Sequence, residues 1–547
     1  MEFKYIHWKQ NQPIAEDYVH AFKRVSDLFE YHHTDPDAYS ARAQWLDQHA
    51  GMRANPAEVA AALNAYQERI GNHPNALRSI AQLTQPQTLA VVGGQQAGLF
   101  SGQLLVIHKA ISIIRTTRRA SEQLGRPVVP IFWIAGEDHD FQEVNHTLQL
   151  SNTLSLTRIE LPEREEHQGK RLTISRRAVS IEEWEQAINE LEAQLQQTEF
   201  KPGLIDTLRQ TAAESASLSE MFARIIAQLF GESGLIVLDS DDPELRQVEA
   251  KMFTTIITHN AEVERALHAA AAKQQSLGYT PSAEVRERSA NLFYSRDGER
   301  IALYRDEAGD FQDRSGELRF RADELQQHAQ QSPDSFSNNV FTRPLMQDYL
   351  FPVLTTVLGP GEISYWGLTR ETFRALDMQM PIITPRLEFT LVEGTVKKQL
   401  DKLDLSLEDA FFHIEEKRDQ WLAAQDSLGI SEQFAQVKQQ FDALYDPILQ
   451  LVASINPGLK ALGETNHQKI TEQISFLENR AKDAHENQFD AAKRQFERIR
   501  MSLAPLGKRQ ERVYNIYAYL NRYGYDWLSE LLIADYEENG QHIVVYL

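Results

Sequence analysis

The chain has 547 residues, a formal net charge of −22 and no cysteine, and 42% of its residues are hydrophobic. Its length is typical of three or four domain-sized units, and the lack of cysteine excludes disulfide bonds, thiolate metal sites and a cysteine nucleophile. The negative charge disfavours nucleic acid as a partner, because an acidic surface repels a polyanion. The first residues lack a secretory signal pattern and no apolar run reaches roughly 18 residues, so we predict a cytoplasmic protein without a membrane span.

The first 85 residues are predicted to form a helical segment packed on the core, because Val59, Leu63, Tyr66 and Ile70 recur at helical spacing. From residue 86 the pattern changes. Apolar runs of strand length at 88–92 and 127–134 flank a glycine-rich loop and a helix over 104–118. This order predicts a βαβ unit and therefore a parallel sheet.

Further buried strands are predicted at 234–238, 355–358 and 380–383. We therefore predict an α/β fold with a Rossmann-type parallel-sheet core in two parts, 86–280 and 326–400. The intervening residues 281–325 are predicted to form an antiparallel β insertion around the turn Arg296-Asp297-Gly298.

Residues 401–505 are predicted to form a long antiparallel α-helical coiled coil, followed by a C-terminal cap over 506–547. The apolar residues recur at alternating spacings of three and four, which is typical of a coiled-coil seam: Phe434, Val437, Phe441, Leu444, Ile448, Leu451 and Ile455. Pro447 is expected to bend or locally break this helix, and Asn456-Pro457-Gly458 to end it. The apolar seam also predicts a homodimer.

A glycine-rich loop, 93–102, joins the first predicted strand to its helix. Glycines allow a ligand close to the backbone, and a helix N-terminus favours an anion. The loop matches neither the dinucleotide fingerprint nor the Walker loop, so a structural turn is the alternative, but its place at the carboxyl end of a strand favours a ligand site. His108 and Lys109 follow two turns later; taken alone, His108 is typical of a core histidine and Lys109 of a solvated lysine.

A second polar segment, Glu137-Asp138-His139-Asp140, follows the predicted strand at 127–134, with His146 close behind. Carboxylates with histidine can bind a divalent metal or perform acid–base catalysis. A polar loop whose aspartate caps a helix is an equal alternative. No metal site is predicted, because the spacing matches no standard metal motif.

Two further segments carry groups suited to an anionic substrate. Glu362 and Tyr365 follow the turn Gly359-Pro360-Gly361, and Arg343 and Arg386 are each suited to binding a carboxylate bidentately. Core packing and ordinary salt bridges are the alternatives. Near the C-terminus a locally basic segment suits a phosphate or nucleotide, although a joint between helices is the more probable alternative; its candidate residues are Lys508, Arg512, Asn515, Asn521 and Tyr523.

Several segments in this order resemble the cysteine-adding enzymes of bacillithiol biosynthesis, the BshC family. They are Gly94 to Phe100 with His108-Lys109, Val129 to Asp140, Arg343 to Leu345, Gly359 to Ile363, Pro385 to Leu387, Gln510 to Arg512 and Asn521 to Gly524. The chain departs from the expected pattern at Gly93 and at Gln103-Leu104-Leu105. The resemblance implies a Rossmann-type core, connecting insertions and a coiled coil. It also implies the last step of bacillithiol synthesis, which joins cysteine to glucosaminyl malate.

Forming this amide requires an activated carboxyl, and the Rossmann-type core indicates ATP, ADP or another nucleotide as the cofactor. Another acyl donor or a partner protein stays open as the source of activation. Asp138 or His139 is expected to accept the proton of the attacking amine, and His108 and Lys109 to stabilise developing charge. Either Arg343 or Arg386 is expected to hold the malate carboxylates. The predicted substrate-binding residues are Gln95, Gln96, Gly98, Glu137, Arg343, Glu362, Tyr365 and Arg386. The predicted nucleotide-binding residues are Gly94, Gly102, Lys508, Arg512, Asn515, Asn521 and Tyr523.

Two alternatives from other functional classes remain open. One is a metal-dependent hydrolase that uses Glu137, Asp138, His139 and His146. The other is a non-catalytic scaffold that acts through its coiled coil.

Overall fold

The computed structural model describes residues 1–151, 154–167, 169–425 and 429–547. The chain forms two compact units. The first contains Met1–Leu391 and Gln510–Leu547, and the second contains Val392–Arg509. Within the described residues, no helix combines the length and apolar character needed to cross a membrane.

The N-terminal segment is mostly helical, as predicted, but it also begins with a strand that the sequence pattern did not indicate. Its elements are β1 (Glu2–Ile6), α1 (Pro13–His20), α2 (Ala38–Gln48), α3 (Pro56–Ile70) and α4 (Pro74–Leu83). Proline occupies the first turn of α1, α3 and α4, where its missing N–H costs nothing.

The first part of the core alternates strands and helices. Its elements are β2 (Leu89–Gln95), α5 (Leu104–Leu124), β3 (Val128–Ile134), α6 (Phe141–Val144), β4 (His146–Leu150), β5 (Leu156–Glu160), α7 (Ile181–Gln194), α8 (Lys201–Ala213), α9 (Leu218–Phe230), β6 (Ile236–Asp239), α10 (Pro243–Thr258) and α11 (Asn260–Ser276). β4 and β5 form a separate two-stranded hairpin.

The insertion and the second part of the core follow. Their elements are β7 (Ser289–Arg296), β8 (Glu299–Arg305), β9 (Phe311–Gln312), β10 (Arg319–Phe320), α12 (Ala322–Gln331), β11 (Phe336–Asn338), α13 (Arg343–Leu350), β12 (Val353–Leu358), α14 (Pro360–Trp366), α15 (Arg370–Ala375), β13 (Ile382–Pro385) and β14 (Phe389–Val392). The insertion is an antiparallel sheet in the order β10-β9-β8-β7-β11. It extends past the predicted boundary at residue 325, because β11 returns to pair with β7.

The core is a five-stranded parallel sheet in the order β13-β12-β2-β3-β6. Alternate residues of its strands enter two different apolar clusters. Val91 and Phe132 pack on one face, whereas Val92 and Ile131 pack on the other. Burial of both faces explains why these strands are continuous apolar runs.

The chain leaves the central strand β2 in one direction through β3 to β6, and later fills the other side with β12 and β13. The strand order therefore reverses between β2 and β12. In open α/β sheets, ligands bind in the crevice outside the carboxyl ends of the strands at such a switch point.

The second unit consists of helices and contains the coiled coil. Its elements are α16 (Gly394–Lys402), α17 (Leu407–Phe412), α18 (Ile414–Ala424), α19 (Ile430–Ile455), α20 (Gly458–Glu486) and α21 (Asp490–Leu503). The predicted break at Pro447 is wrong, since α19 continues through it. The carbonyl of Ala443, which loses its helical partner there, belongs to an exposed residue, so water can satisfy it.

α19 and α20 pack as the predicted hairpin, but part of the predicted apolar seam does not lie in the contact between the two helices. Tyr445 Oη donates to Asn466 Oδ1 at 2.5 Å, and Gly463 leaves room for Leu449. The neighbouring stripe stays 51 to 74% exposed: Leu444, Ile448, Leu451 and Ile455. Apolar stripes of this kind are typical of contact surfaces. The predicted homodimer, which would cover them, stays a prediction.

The last residues return to the first unit as α22 (Tyr517–Tyr523), α23 (Asp526–Ile533) and β15 (His542–Tyr546). β15 lies between β1 and β14 in a three-stranded sheet, and it pairs antiparallel with β1. The C-terminal cap is thus joined to the first strand of the chain.

Candidate active site at the switch point of the sheet

Lys109 lies at the switch point, beneath the carboxyl ends of β2 and β12. Its Nζ donates to Gly94 O at 2.5 Å, to Gln95 Oε1 at 3.1 Å and to Glu362 Oε2 at 2.5 Å. These contacts use all three ammonium N–H groups. Burial lowers the pKa of Lys109, and the charge of Glu362 opposes this. Glu362 also accepts from the N–H of Gly359 at 2.8 Å, so one buried ammonium fixes the ends of two neighbouring strands.

Arg343, at the start of α13, brings an uncommitted cation to the same region. Its Nη2 donates to Tyr365 Oη, but among the described residues no carboxylate oxygen lies within 4.0 Å of its guanidinium. Burial opposes the charge of Arg343, yet the negative potential of Tyr365, Glu362, Glu137 and Asp138 raises its pKa. A half-buried arginine in this setting is suited to binding a substrate carboxylate.

Asp138 and His139 follow β3 and form the polar side of the site. Asp138 accepts from Gln96 Nε2 at 2.6 Å and from the N–H of His139 at 2.7 Å, and its Oδ1 lies 3.6 Å from His139 Nδ1. Burial raises the pKa of Asp138, but Gln96 and Arg300 more than offset this and hold it below its ordinary value. Burial, followed by the charge of Arg300, lowers the pKa of His139. At neutral pH the pair is therefore a carboxylate beside an uncharged imidazole.

The antiparallel insertion supplies two site residues that no local motif indicated, Arg300 on β8 and Asn338 on β11. Arg300 Nε donates to Ser337 Oγ at 2.9 Å, and its Nη1 lies 3.5 Å from His139 Nδ1. Asn338 is buried, and among the residues that the structure describes neither its side-chain nitrogen nor its side-chain oxygen has a hydrogen-bond partner. Its backbone N–H donates to Glu137 at 3.2 Å. The insertion therefore contributes a cation, Arg300, whose Nη1 lies 4.0 Å from Asp138 Oδ1, and a buried amide, Asn338.

Glu137, predicted to bind substrate, is instead held inside the protein. Its carboxylate accepts from Arg246 Nη2 at 2.6 Å, and Arg246 also binds Glu249 at 2.6 Å. The turn after β3 needs Gly136, because a Cβ there would overlap with Ser175 Oγ and Asp239 Oδ1. These contacts position the backbone that presents Asp138 and His139.

The glycine loop is closed by the C-terminal cap. Asn515 Nδ2 donates to Phe100 O at 2.6 Å and to Gly102 O at 2.7 Å, and the N–H of Leu104 donates to Tyr514 O at 2.8 Å. Gly98 is buried, and a Cβ on it would lie 2.6 Å from Gly102 Cα. The first N–H group of α5 is thus engaged by the protein, and the predicted nucleotide-binding role of Gly94 and Gly102 stays a prediction.

Arg386 and His108 meet in a different buried cluster. Arg386 binds Glu511 bidentately, at 2.6 and 2.8 Å, and His108 Nδ1 lies 2.7 Å from Glu511 Oε2. All three side chains are buried. Arg386 therefore already has a carboxylate partner, and His108 contacts Glu511, whereas its neighbour Lys109 binds Glu362.

The remaining residues of the nucleotide prediction do not gather on one surface of the first unit. Asn521 is buried and donates to Gln196 O at 3.0 Å, Arg512 is exposed and Tyr523 is half-buried. Lys508 is exposed and belongs to the second unit. The predicted roles of all these residues stay predictions.

Comparison with known proteins covers both units. Residues 1–387 match the family model of the bacillithiol biosynthesis BshC N-terminal Rossmann-like domain, and residues 389–547 match that of the BshC C-terminal coiled-coil domain. Proteins named "Putative cysteine ligase BshC" are similar over nearly their whole length. The protein from Bacillus cytotoxicus is 35% identical over 98% of both chains, and those from Bacillus cereus and Bacillus anthracis are 34% identical over 100% of both chains. The chain belongs to the BshC family.

Membership of the BshC family confirms the resemblance read from the motifs, the Rossmann-type core and the coiled coil. It also identifies the protein as a ligase. The boundary between the two BshC domain models, at residues 387 to 389, lies close to the boundary at Leu391 between the two compact units.

The metal-hydrolase alternative finds no support in the geometry of this BshC protein. Glu137 is engaged by Arg246, and His146 Nδ1 lies 3.2 Å from Gln142 O. Over the described ranges, the side chains predicted for the hydrolase site do not form a group of ligand atoms that lie within 4.8 Å of one another. The group that does so consists of other residues.

Proposed function

We propose that the protein joins the carboxyl of cysteine to the amine of glucosaminyl malate, the last step of bacillithiol synthesis, in the cytoplasm. Family membership and the names of the relatives support the step. The observation that carries the substrate assignment is Arg343, a guanidinium without a carboxylate partner among the described residues at the switch point of the sheet. A malate group is a dicarboxylate, and such a guanidinium is a natural partner for it.

Each residue of the site has a different role in the proposed reaction. Arg343 holds a malate carboxylate and thereby brings the glucosamine amine toward His139. The amine attacks only when it is uncharged, so the proton it loses must be accepted. His139 accepts that proton, and Asp138 orients the imidazole and stabilises the imidazolium that forms. Lys109 is a positioning residue, because all three of its N–H groups already hold Gly94, Gln95 and Glu362.

The carboxyl of cysteine must also be activated, because free carboxylate and amine do not condense readily in water. A nucleotide, which the sequence predicts, would supply this activation when bound. The predicted groups for its phosphates are those of the glycine loop, 93–102, and of the C-terminal cap.

Thiol profiling of cells that lack this protein tests the function. We expect bacillithiol to disappear and glucosaminyl malate to accumulate, and we expect the wild-type gene, but not an Arg343→Ala version, to restore the thiol. Unchanged bacillithiol in the deletion strain would reject the proposed step. Restoration by the Arg343→Ala gene would reject the role of Arg343 while leaving the step in place.

Replacing Lys109 with methionine is expected to lower kcat/KM about 100-fold, because misplacement of site groups by about 1 Å costs this much. The matched control is Lys201→Met, which removes another buried lysine whose Nζ donates to Leu195 O at 3.1 Å, outside the site. Steady-state kinetics and circular dichroism on both variants provide the measurement. Equal losses in the two variants would mean that Lys109 contributes only to folding.

A further inference from the structure

The N-terminal segment brings together three side chains that the proposed reaction does not use: His7, Glu16 and His20. Their ligand atoms all lie within 4.8 Å of one another, and across the described parts of the chain they are the only histidine, aspartate or glutamate side chains that form such a group of three or more. Glu16 and His20 are four residues apart on α1, so they project from the same face of the helix. His7 reaches them from the loop that follows β1.

We propose that His7, Glu16 and His20 form a binding site for a zinc ion. Two imidazoles and one carboxylate are a ligand set that zinc accepts, and three protein ligands leave a fourth position for water. The site is independent of the proposed ligase reaction.

The geometry is already close to that of a zinc site. Zinc ligands in a tetrahedron, each about 2.0–2.1 Å from the metal, lie about 3.3 Å from one another. His7 Nε2 and Glu16 Oε1 are 3.3 Å apart. The rings of His7 and His20 lie 4.9 Å apart between centroids, at an angle of 69°. Both histidines are exposed, so the ring of His20 can rotate to bring its nitrogen from within 4.8 Å of the other two ligand atoms to the spacing of about 3.3 Å that zinc requires.

The surrounding contacts hold the carboxylate in place. The second oxygen of Glu16 accepts from the N–H of Gln10 at 2.8 Å, which leaves the first oxygen directed at His7. Such an additional hydrogen bond fixes the orientation of a metal ligand. Gln10 is itself anchored, since its Nε2 donates to Glu388 Oε2 at 2.8 Å. The loop that presents His7 is therefore held at both Glu16 and Glu388.

A bound ion would tie this loop to α1. β1, which precedes the loop, pairs with the C-terminal strand β15. Zinc that binds the folded protein more tightly than the unfolded chain must raise its melting temperature. The expected consequence is a thermal stabilisation that requires all three ligands.

Titration of the full-length, chelator-treated protein with zinc chloride tests the proposal, with isothermal calorimetry and thermal unfolding as readouts. We expect one equivalent to bind and Tm to rise. His7→Ala, Glu16→Gln and His20→Ala should each weaken binding at least tenfold and abolish the rise in Tm. The control is His413→Ala, because His413 and Glu416 form a similar exposed pair, 3.6 Å apart, that has no third ligand within the described part of the chain.

Cobalt(II) provides a second readout, since its visible spectrum reports the coordination geometry. A four-coordinate spectrum in the wild type that is lost in the His7→Ala protein supports the site. Failure of the wild type to bind either ion would overturn the proposal, and so would equal zinc binding by the wild type and the three ligand variants. Ligand variants that keep the wild-type circular dichroism but lose zinc exclude misfolding as the cause.

Discussion

A His139→Gln variant is expected to lose about 10²- to 10⁴-fold in kcat/KM, the range typical of removing a general base. His139 follows β3 at the carboxyl edge of the sheet, and it is half-buried beside Asp138 and Arg300. Burial and the charge of Arg300 lower its pKa, so the ring is uncharged at neutral pH and can accept a proton. Glutamine keeps a polar side chain but cannot serve as a base.

The pH profile distinguishes His139 from Asp138 as the base. A base must be deprotonated, so activity falls as the pH drops through its pKa. With His139 as the base, the acidic limb of kcat/KM lies below pH 6.5, the ordinary histidine value, because the pKa of His139 is lowered from that value. With Asp138 as the base, activity would persist into much stronger acid, because the pKa of Asp138 lies below the ordinary value of a carboxyl.

His146→Gln is the matched control. His146 belongs to the same segment and its pKa is also lowered by burial, but it lies on β4 and contacts Gln142 and Asn145. We expect this variant to keep nearly full activity and an unchanged acidic limb. A His139→Gln protein within about threefold of the wild type would exclude His139 as the base. Asp138→Asn would then be the variant to measure.

The parallel core could be predicted because its signal is local. Each strand is an apolar run buried on both faces, and the helix between β2 and β3 has its own periodicity. The order of the strands could not be predicted in the same way. It depends on β12 pairing with β2, as Val353 does with Ala90, and such long-range pairing leaves no trace in a short segment.

The residues of the candidate site likewise divide into those that a local motif indicates and those that only the fold brings to the site. Asp138, His139 and Glu362 are predicted from segments that follow strands, and Lys109 from the helix after the glycine loop. The fold pairs Lys109 with Glu362 at the switch point, and Asp138 with His139 after β3. Arg300 was missed, because it comes from an insertion strand whose own pattern is that of an ordinary hairpin. Whether a side chain is free to bind a substrate also depends on the residues that it contacts in the folded protein.

Arg343 and Arg386 illustrate this last point. Each follows a plausible motif, and the sequence gives no reason to prefer either as a carboxylate binder. In the fold, Arg386 meets Glu511, which lies 125 residues away in the chain. Among the described residues, the guanidinium of Arg343 instead has a tyrosine hydroxyl as its hydrogen-bond partner. The two predicted roles can be distinguished only by contacts that short motifs do not record.

The contact between Arg386 and Glu511 leads to the largest expected effect on stability. A Glu511→Gln variant is expected to be destabilised by about 3–5 kcal/mol, because it leaves Arg386 buried without its full counter-charge. Glu388 lies 3.3 Å from Arg386 Nη2 and can offset only part of this. Urea unfolding, read by hydrogen exchange of residues 510–547, measures the loss. Glu160→Gln breaks an exposed pair with Arg158 and should cost less than about 1 kcal/mol.

The pH dependence of stability gives an independent check of the same contact. Burial alone would raise the pKa of Glu511, but Arg386 and His108 hold it well below its ordinary value. A carboxyl with a lowered pKa contributes stability above its unfolded pKa, and this contribution is lost as the pH falls through the folded pKa. The wild type should therefore lose stability in acid more steeply than Glu511→Gln. Parallel curves for the two proteins would contradict the assignment.

A double variant, Arg386→Met with Glu511→Leu, distinguishes the cost in stability of an unpaired buried charge from the cost of lost packing. Replacing both members of a buried ion pair by apolar side chains of similar size is often neutral or stabilising. We therefore expect the double variant to recover part of the stability that Glu511→Gln loses, because Glu388 then lacks Arg386 as its cation. If it is as unstable as the single variant, the cluster contributes through its shape, or through the hydrogen bond to His108, and not through the pairing of Arg386 with Glu511.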